Sequence, residues 1–579
     1  MWPFRPSYPE VAFHELLDKY DYIIVGGGTA GCVLANRLSA SSDKTVLLVE
    51  RGPVADTWAS RVPLLSSDIS SDGARSQKRV SERHPTLDKE YLLINGSALG
   101  GTTRINSMVY TRGVQQEYDM WAESGCEGWS WKEVEPFFKK SERSLEETDD
   151  PGCHGKDGEW RNRSGPLFFP GFHRVVASCK NIGLPFIDDI NSTKNPSVGC
   201  GQLHFTRDEN QHRSSAYHAF LPLDLVKQRP NLHVLTNAIA ERIVIRQRNT
   251  GPFAEGVQIS SRTSKGTKTV TSEREVIICA GPFGSPQLLL LSGIGPVEHL
   301  KEHGIRVHKD LPAVGNNLQD HFAVSVAHRI PMDHSLISIE KRPWVFFTHL
   351  FYWLVWGTGM LLAPVLQLAI FVSSSALDPE GRPVKERKVD QDIIPDIEIL
   401  PIPYDGSNSN LDKSRGVFSF LCVLLHPKSK GSLRLSAPTP DAPLKIDLNY
   451  LSNPEDLEPL RAGLKLALRI GEDMRAQGYP LEDWESERPE GEDDVSLDKF
   501  IQRRNRTTYH YSSTCRMGPR EDIPDGGAAV DQELRVFGVD CLRVADSSVF
   551  PWVPGVHLQA PTVMVAEKCA HMILHPKPE

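Results

Sequence analysis

The chain has 579 residues, 39% hydrophobic and 24% charged, a globular balance that allows large buried cores and more than one domain. A formal charge of −9 with no long basic block excludes nucleic acid as a partner and leaves small neutral or cationic ligands open. The ten cysteines are scattered singly with no CxxC pair, which gives no metal signature.

Residues 1–17 are a Pro- and aromatic-containing arm, expected on the surface. They show no basic stretch followed by an apolar one, and the final HPKPE is not a peroxisomal tripeptide. With the scattered cysteines this points to reduced thiols and a cytoplasmic location, where the sequons at Asn95, Asn162, Asn191 and Asn505 would go unused.

Asp21 to Leu38 reads as strand, tight turn and helix: an apolar β-branched run, then Gly26-Gly27-Gly28-Thr29-Ala30-Gly31, then helical apolar spacing. Gly26 permits the turn, Gly28 lets the backbone approach a pyrophosphate, and Gly31 lets helix pack on strand. The helix start offers free N–H groups and a positive dipole end to phosphate. Glu50 ends the second strand about 20 residues on, where a carboxylate takes a ribose hydroxyl. Strand, turn, helix and acid in register predict a dinucleotide site, and this stretch alone does not separate NAD from FAD.

Val54 to Glu90 is polar and without periodicity, an excursion expected to end near the cofactor. In Asn95 to Gly113, Gly96, Gly100 and Gly101 with Thr102 and Thr103 suit a loop passing close to a flat ligand. The aromatic cluster around Gly128-Trp129-Ser130-Trp131 reads as core, followed by a helix over 132–140. Asn231 to Ile245 predicts two strands, and Glu275 to Gly295 a buried strand, a turn and an apolar helix ending at Gly293. Cys32 and Cys279 read as small core residues.

Trp344 to Ser374 carries no formal charge but is broken by Gly357-Thr358-Gly359 and Pro364. A span needs about 20 mainly apolar residues, so the segment is expected to line or cover an apolar pocket. Asp378 to Asp392 reads as a solvated loop. Val417–Leu425 and Ser432–Leu435 read as strands, and Pro454–Arg475 as an amphipathic helix. Pro561 fits the first turn of a C-terminal helix.

Four segments together resemble the glucose-methanol-choline (GMC) flavin oxidoreductases: Gly26–Gly31 with Glu50, Gly100–Gly113, Gly281–Gly295 and Tyr509–Ala570. Trp121–Glu142, Val314–His321 and Leu425–Tyr450 are also similar to the family, so the likeness spans nearly the whole chain. It implies FAD rather than NAD, and oxidation of an alcohol by oxygen or another electron acceptor. His510 and His557 match the family's active-site pair, with His510 as general base and His557 orienting the alkoxide. A neutral imidazole suits proton abstraction. The C-terminal helix start would point its dipole at the flavin and stabilise the reduced form. Tyr511-Ser512-Ser513 departs from the family's Pro-Val-Gly, and Arg104 replaces a small residue. Ile105 stands where some choline oxidases carry a tethering histidine, which implies non-covalent FAD.

The expected architecture is α/β: a Rossmann-like FAD-binding domain (18–165, 228–328 and 503–579) with a second substrate domain built on an antiparallel sheet with helices (166–227 and 329–502). Expected cofactor contacts are Gly26, Gly28, Thr29, Ala30, Gly31, Glu50, Gly101, Thr102, Asn106, Ala240, Asp546 and Gln559, the carboxyl residue Asp546 acting through backbone and water. The apolar 344–371 stretch favours a bulky or hydrophobic metabolite alcohol. The alternatives are an FAD-containing lyase of the same fold, of the hydroxynitrile type, and a membrane-associated binding protein. No metal and no integral membrane span are expected.

Overall fold

The computed structural model describes residues 7–576 except 68–72, 148–149, 151, 265, 385–392, 408–410 and 520–526. The start of the N-terminal arm, most of the charged 378–392 run and the last three residues therefore lie outside the described residues.

The opening motif forms as its residues dictate. Lys19–Val25 is a strand, Thr29–Leu38 a helix and Val46–Val49 a second strand. Lys19–Val25 pairs in parallel with Val46–Val49 on one side and with Thr267–Ile278 on the other. Ile23, Ile24, Val46, Leu47 and Leu48 are fully buried, as continuous apolar runs in a parallel sheet covered on both faces must be. Leu232–Leu235 extends the sheet in parallel beyond Val46–Val49. On the other side Gly251–Ser261 and Ala238–Arg248 add antiparallel strands. Leu542–Val544, far along the chain, pairs in parallel with Val276–Ile278. This α/β sheet is closed over by the helices Thr29–Leu38 and Gln559–Leu574, which pack on each other.

The second large sheet runs Glu482–Asp483, Phe322–Ile330, Gly416–Leu424, Ile397–Ile402, Leu368–Val372, Gly199–Gln202 and Phe186–Ile187, with Asn505–Thr507 also on Phe322–Ile330. It is antiparallel apart from its last pair. One face is covered by the helix Leu457–Ala476, whose buried Leu460, Leu464, Ile470 and Met474 each contribute about 1.5–3 kcal/mol of burial. The other face turns toward the first sheet.

The polar stretch 54–90 holds an element that its lack of periodicity hid. Ser76–Val80 is a strand in a two-stranded ribbon with Leu92–Gly96, so neither face is buried enough to impose alternation. Trp121 and Trp129 are fully buried, as the aromatic cluster predicts. Asn162, Asn191 and Asn505 are also buried, with their amides bonded to Glu142, His204 and the Ile501 carbonyl. All ten cysteines are unpaired, and all but Cys541 are buried.

The charge-free segment divides into a helix, Pro343–Trp356, and the sheet strand Leu368–Val372. No residue of the helix is fully buried, and Trp344, Phe347, Leu354 and Trp356 are each more than 60% exposed. Its inner face covers the pocket, as expected, through Phe346, but its outer face is apolar as well. Among the described residues no helix is long and apolar enough to cross a membrane.

Candidate active site

The parallel strands of the first sheet end on one rim. Val25 leads into Gly26, Val49 into Glu50, Ile278 into the Cys279–Gly281 turn, and Val544 into Asp546. This rim opens into a cavity of about 1490 Å³ that continues to the inner face of the second sheet. Gly26, Gly28, Thr29, Ala30, Glu50, Gly101, Thr102, Asn106, Ala240, Asp546, Gln559, His510 and His557 all line it. Gly31 does not. A Cβ there would lie 1.9 Å from the Gly26 carbonyl oxygen, so its work is helix-on-turn packing.

The other glycines divide by the same test. Gly26 has φ +105° and would set a Cβ 2.3 Å from the Cys279 oxygen, so the fold itself requires it. At Gly28 a Cβ would meet only the Cys279 oxygen at 3.8 Å and the Gly101 Cα at 3.9 Å, ordinary contacts. The protein has room for a side chain at Gly28, and only a ligand would not. Thr29–Leu38 starts without a side-chain cap, leaving its first N–H groups open to a phosphate.

Both carboxylates at the rim also brace the turns. Glu50 accepts from the Gly27 N–H at 2.8 Å and the Gly52 N–H at 2.7 Å, and burial pushes its pKa up. Asp546 accepts from Gly281 N–H, Ser285 Oγ and Ser548 N–H, so its side chain ties the second turn to the C-terminal segment.

The two histidines meet on the cavity wall. Their ring centroids are 4.9 Å apart and nearly perpendicular. His510 follows Tyr509, which sits at φ +65°, a left-handed conformation uncommon for a bulky side chain and of the kind that collects at functional sites. The His510 backbone N–H donates to Asp320 at 2.7 Å, and Asp320 also accepts from Tyr450 and Thr507. Burial raises Asp320 to about 6 against those hydrogen bonds. His510 Nδ1 contacts His321 Nδ1 at 2.9 Å and Thr508 Oγ1 at 3.2 Å, so among the described residues its Nε2 is uncommitted. Burial, then the His557 and His321 rings, hold the His510 imidazole well below its ordinary pKa and keep it neutral. His557 Nε2 pairs with Glu398 at 3.1 Å.

Asp320, His321 and Glu398, which contact this pair, are not singled out by the sequence. Asp320 and His321 stand in the Val314–His321 segment, whose likeness to the family was noted without a role. Glu398 had one signal: it is the lone acid of the buried strand Ile397–Ile402. Around it the cavity wall is aliphatic, formed by Val365, Leu366, Leu400, Leu421 and Val423, with Tyr404, Glu340 and Lys413 at a polar edge. Ile105 lines the cavity and carries no nucleophile. Arg104 is fully buried and donates to the Val54, Ala55 and Leu99 carbonyls, holding the loop before it.

Among the described residues one group could hold a metal by spacing: Cys153, His154 and Asp189. Both His154 nitrogens already bond carboxylates, Glu142 at 2.8 Å and Asp189 at 2.7 Å, and Arg112 pairs with Glu142. Burial works against the imidazolium, but those partners raise it to about 11, leaving no lone pair for an ion.

A family model described as GMC oxidoreductase matches residues 20–323, and its C-terminal companion matches 427–566. The chain belongs to the GMC oxidoreductase family. The oxygen-dependent choline dehydrogenase of Sinorhizobium fredii is 33% identical over 569 residues, covering 96% of each chain. An alcohol dehydrogenase [acceptor] of Pseudomonas putida is 34% identical over 567 residues, again with 96% of each covered. Among solved structures, pyridoxine 4-oxidase from Mesorbium loti superposes with a TM-score of 0.81 at 25% identity, over 96% of this chain and 100% of the other. This GMC oxidoreductase is accordingly an FAD-dependent enzyme acting on CH–OH donors. The rim fits that cofactor: an uncapped helix start, a glycine with ligand-sized space beside it, and a carboxylate at the second strand.

Proposed function

We propose that this GMC oxidoreductase oxidises a bulky, hydrophobic alcohol to the aldehyde or ketone, with FAD held non-covalently along the rim. The observation that carries the reading is that His510 and His557 meet on the wall of the cavity that both the glycine-rich rim and the aliphatic side chains line.

In this reading neutral His510 takes the hydroxyl proton at Nε2, the nitrogen left free by the Thr508 and His321 contacts to Nδ1. Bound FAD supplies the acceptor for the carbinol hydride. His557 orients the alkoxide, and Glu398 fixes its ring through Nε2. Asp320 holds the His510 backbone, so the base is positioned by a buried carboxylate rather than by loop packing. The aliphatic side chains at Leu366, Leu400, Leu421 and Val423 exclude water and take the body of the substrate, while Tyr404 and Lys413 would meet a polar end. The lobe built on the first sheet holds cofactor and the lobe built on the second holds substrate. Oxygen or another acceptor reoxidises the flavin.

The test is anaerobic mixing of the yellow holoprotein with a panel of hydrophobic alcohols. Bleaching of the flavin, lost in His510→Ala, supports the reading. Turnover of a cyanohydrin without any bleaching would replace it with a lyase.

A further inference from the structure

Arg213 is a buried cation with no counter-ion among the described residues. It is 1% exposed, and all five of its N–H directions end on neutral acceptors. Nε donates to Ser66 Oγ at 2.8 Å, and Nη1 to the Thr103 carbonyl at 3.0 Å and Asn106 Oδ1 at 2.8 Å. Nη2 donates to Ser67 Oγ at 2.9 Å and the Asn106 carbonyl at 2.6 Å. Among the described residues the charges that act on it, those of Arg75 and Arg104, have the same sign as its own. Burying an unpaired charge is expensive, which is why buried cations normally have an acid beside them.

The charge is connected to the cavity. Asn106, whose Oδ1 and carbonyl Arg213 holds, donates through Nδ2 to Gln559 Oε1 at 2.9 Å. Gln559 opens the C-terminal helix Gln559–Leu574, which has no side-chain cap. Gln559 Nε2 in turn donates to the Val109 carbonyl, so it is the guanidinium charge and the helix dipole that set positive potential along the stretch of cavity wall that Asn106 and Gln559 line.

We infer that Arg213 is the standing counter-charge for reduced flavin, setting the cofactor's reduction potential without touching the substrate. The inference rests on the reading of this cavity as an FAD site with His510 as base. The electron balance gives its reason. Oxidation moves the hydroxyl proton to His510 and the carbinol hydride, with both electrons, to the cofactor, while the C–H bond breaks and C=O forms. The proton and the hydride part company, so the cofactor gains one negative charge. A cation already buried and oriented needs no rearrangement to meet it. Arg213 is a positioning residue in this role, acting through Asn106 and Gln559.

The experiment compares FAD-loaded wild type with Arg213→Gln and Ser66→Asp. The last leaves Arg213 in place and gives it a carboxylate on the side away from the cavity, since Ser66 does not line it while Ser67 does. Flavin content and anaerobic bleaching by alcohol test the underlying reading, and equilibration with a reference dye gives the midpoint potential. Arg213→Gln and Ser66→Asp should each lower the reduced-to-oxidised ratio at least tenfold, a fall of about 30 mV for a two-electron couple. A merely structural Arg213 would change melting temperature and leave the midpoint alone. Wild-type midpoints in flavin-loaded Arg213→Gln and Ser66→Asp overturn the inference while the cofactor reading stands. Should Arg213→Gln fail to fold, Ser66→Asp decides. A wild type that binds no flavin overturns both.

Discussion

Alanine at Gly28 should separate what the fold needs from what the cofactor needs. Its Cβ would sit 3.8 Å from the Cys279 oxygen and 3.9 Å from the Gly101 Cα, and the Gly28 backbone at φ −78° accepts any residue. The apoprotein should therefore lose nothing, and could gain about 0.4–1 kcal/mol from a stiffer unfolded chain. The same methyl group stands where a pyrophosphate would approach, so FAD affinity should fall at least about 100-fold, about 2.8 kcal/mol. In a wild type held at 100 times its Kd, FAD adds about 2.7 kcal/mol to stability, and Gly28→Ala should forfeit nearly all of it. Gly31→Ala is the contrast. Its Cβ falls 1.9 Å from the Gly26 oxygen, an overlap that costs about 1–3 kcal/mol or more before any ligand is added. Thermal melts of both variants and wild type, with and without FAD, read these differences directly, alongside the flavin absorbance of the purified proteins. A yellow Gly28→Ala with a wild-type thermal shift would refute the assignment of this turn to the pyrophosphate.

His510→Ala should keep its fold and FAD yet lose about two to four orders of magnitude in flavin reduction, the usual worth of a positioned base, whereas His557→Asn should be far milder. Stopped-flow reduction of the pair decides it, and the opposite ranking would exchange their roles. Because burial and the two neighbouring rings lower the His510 pKa, the reduction rate should be flat through neutral pH and fall only on the acid side of 6.5, with an apparent pKa belonging to the histidine cluster. A limb centred above 6.5 would mean a different base. Acid precipitation should leave the flavin in the supernatant, since Ile105 offers no atom for a covalent bond. A yellow pellet would locate a tether elsewhere.

The centre of the first sheet was legible because residues 22–25 and Val46–Val49 are apolar runs that lead into Gly26 and Glu50, and because Gly26 to Glu50 encodes a turn with few alternative uses. The second, antiparallel sheet was legible only in part. Gly416–Leu424 reads as a strand, but that it would lie beside Phe322–Ile330 depends on pairing between segments some 90 residues apart, which no local pattern carries. The histidine pair came from resemblance, since a histidine in an apolar stretch is ordinarily a core residue. Glu398 and Asp320 escaped for a related reason: a buried carboxylate is recognisable only by the partner that tolerates it, and both partners are distant in sequence. The helix Pro343–Trp356 was read as a pocket lining because an uncharged aromatic run is normally hidden. One face does serve that purpose, and the sequence holds no sign that the other would stand in solvent.

The three buried sequon asparagines bear on how the protein is best produced. Asn162, Asn191 and Asn505 each spend their amide inside the fold, on Glu142, His204 and the Ile501 carbonyl. Oligosaccharide transfer takes place on chains still emerging into the secretory lumen, before such residues are covered, and a sugar on any of the three would have to be accommodated where no space exists. A secretory yeast or insect host would thus set modification in competition with folding, whereas a bacterial cytosol removes the competitor. Gln substitutions would be a poor remedy, because lengthening the side chain moves the amide off the acceptor it now satisfies. Removing the hydroxyl residue two positions on is the gentler route at Thr193, but not at Ser164 or Thr507, whose hydroxyls hold Glu146 and Asp320.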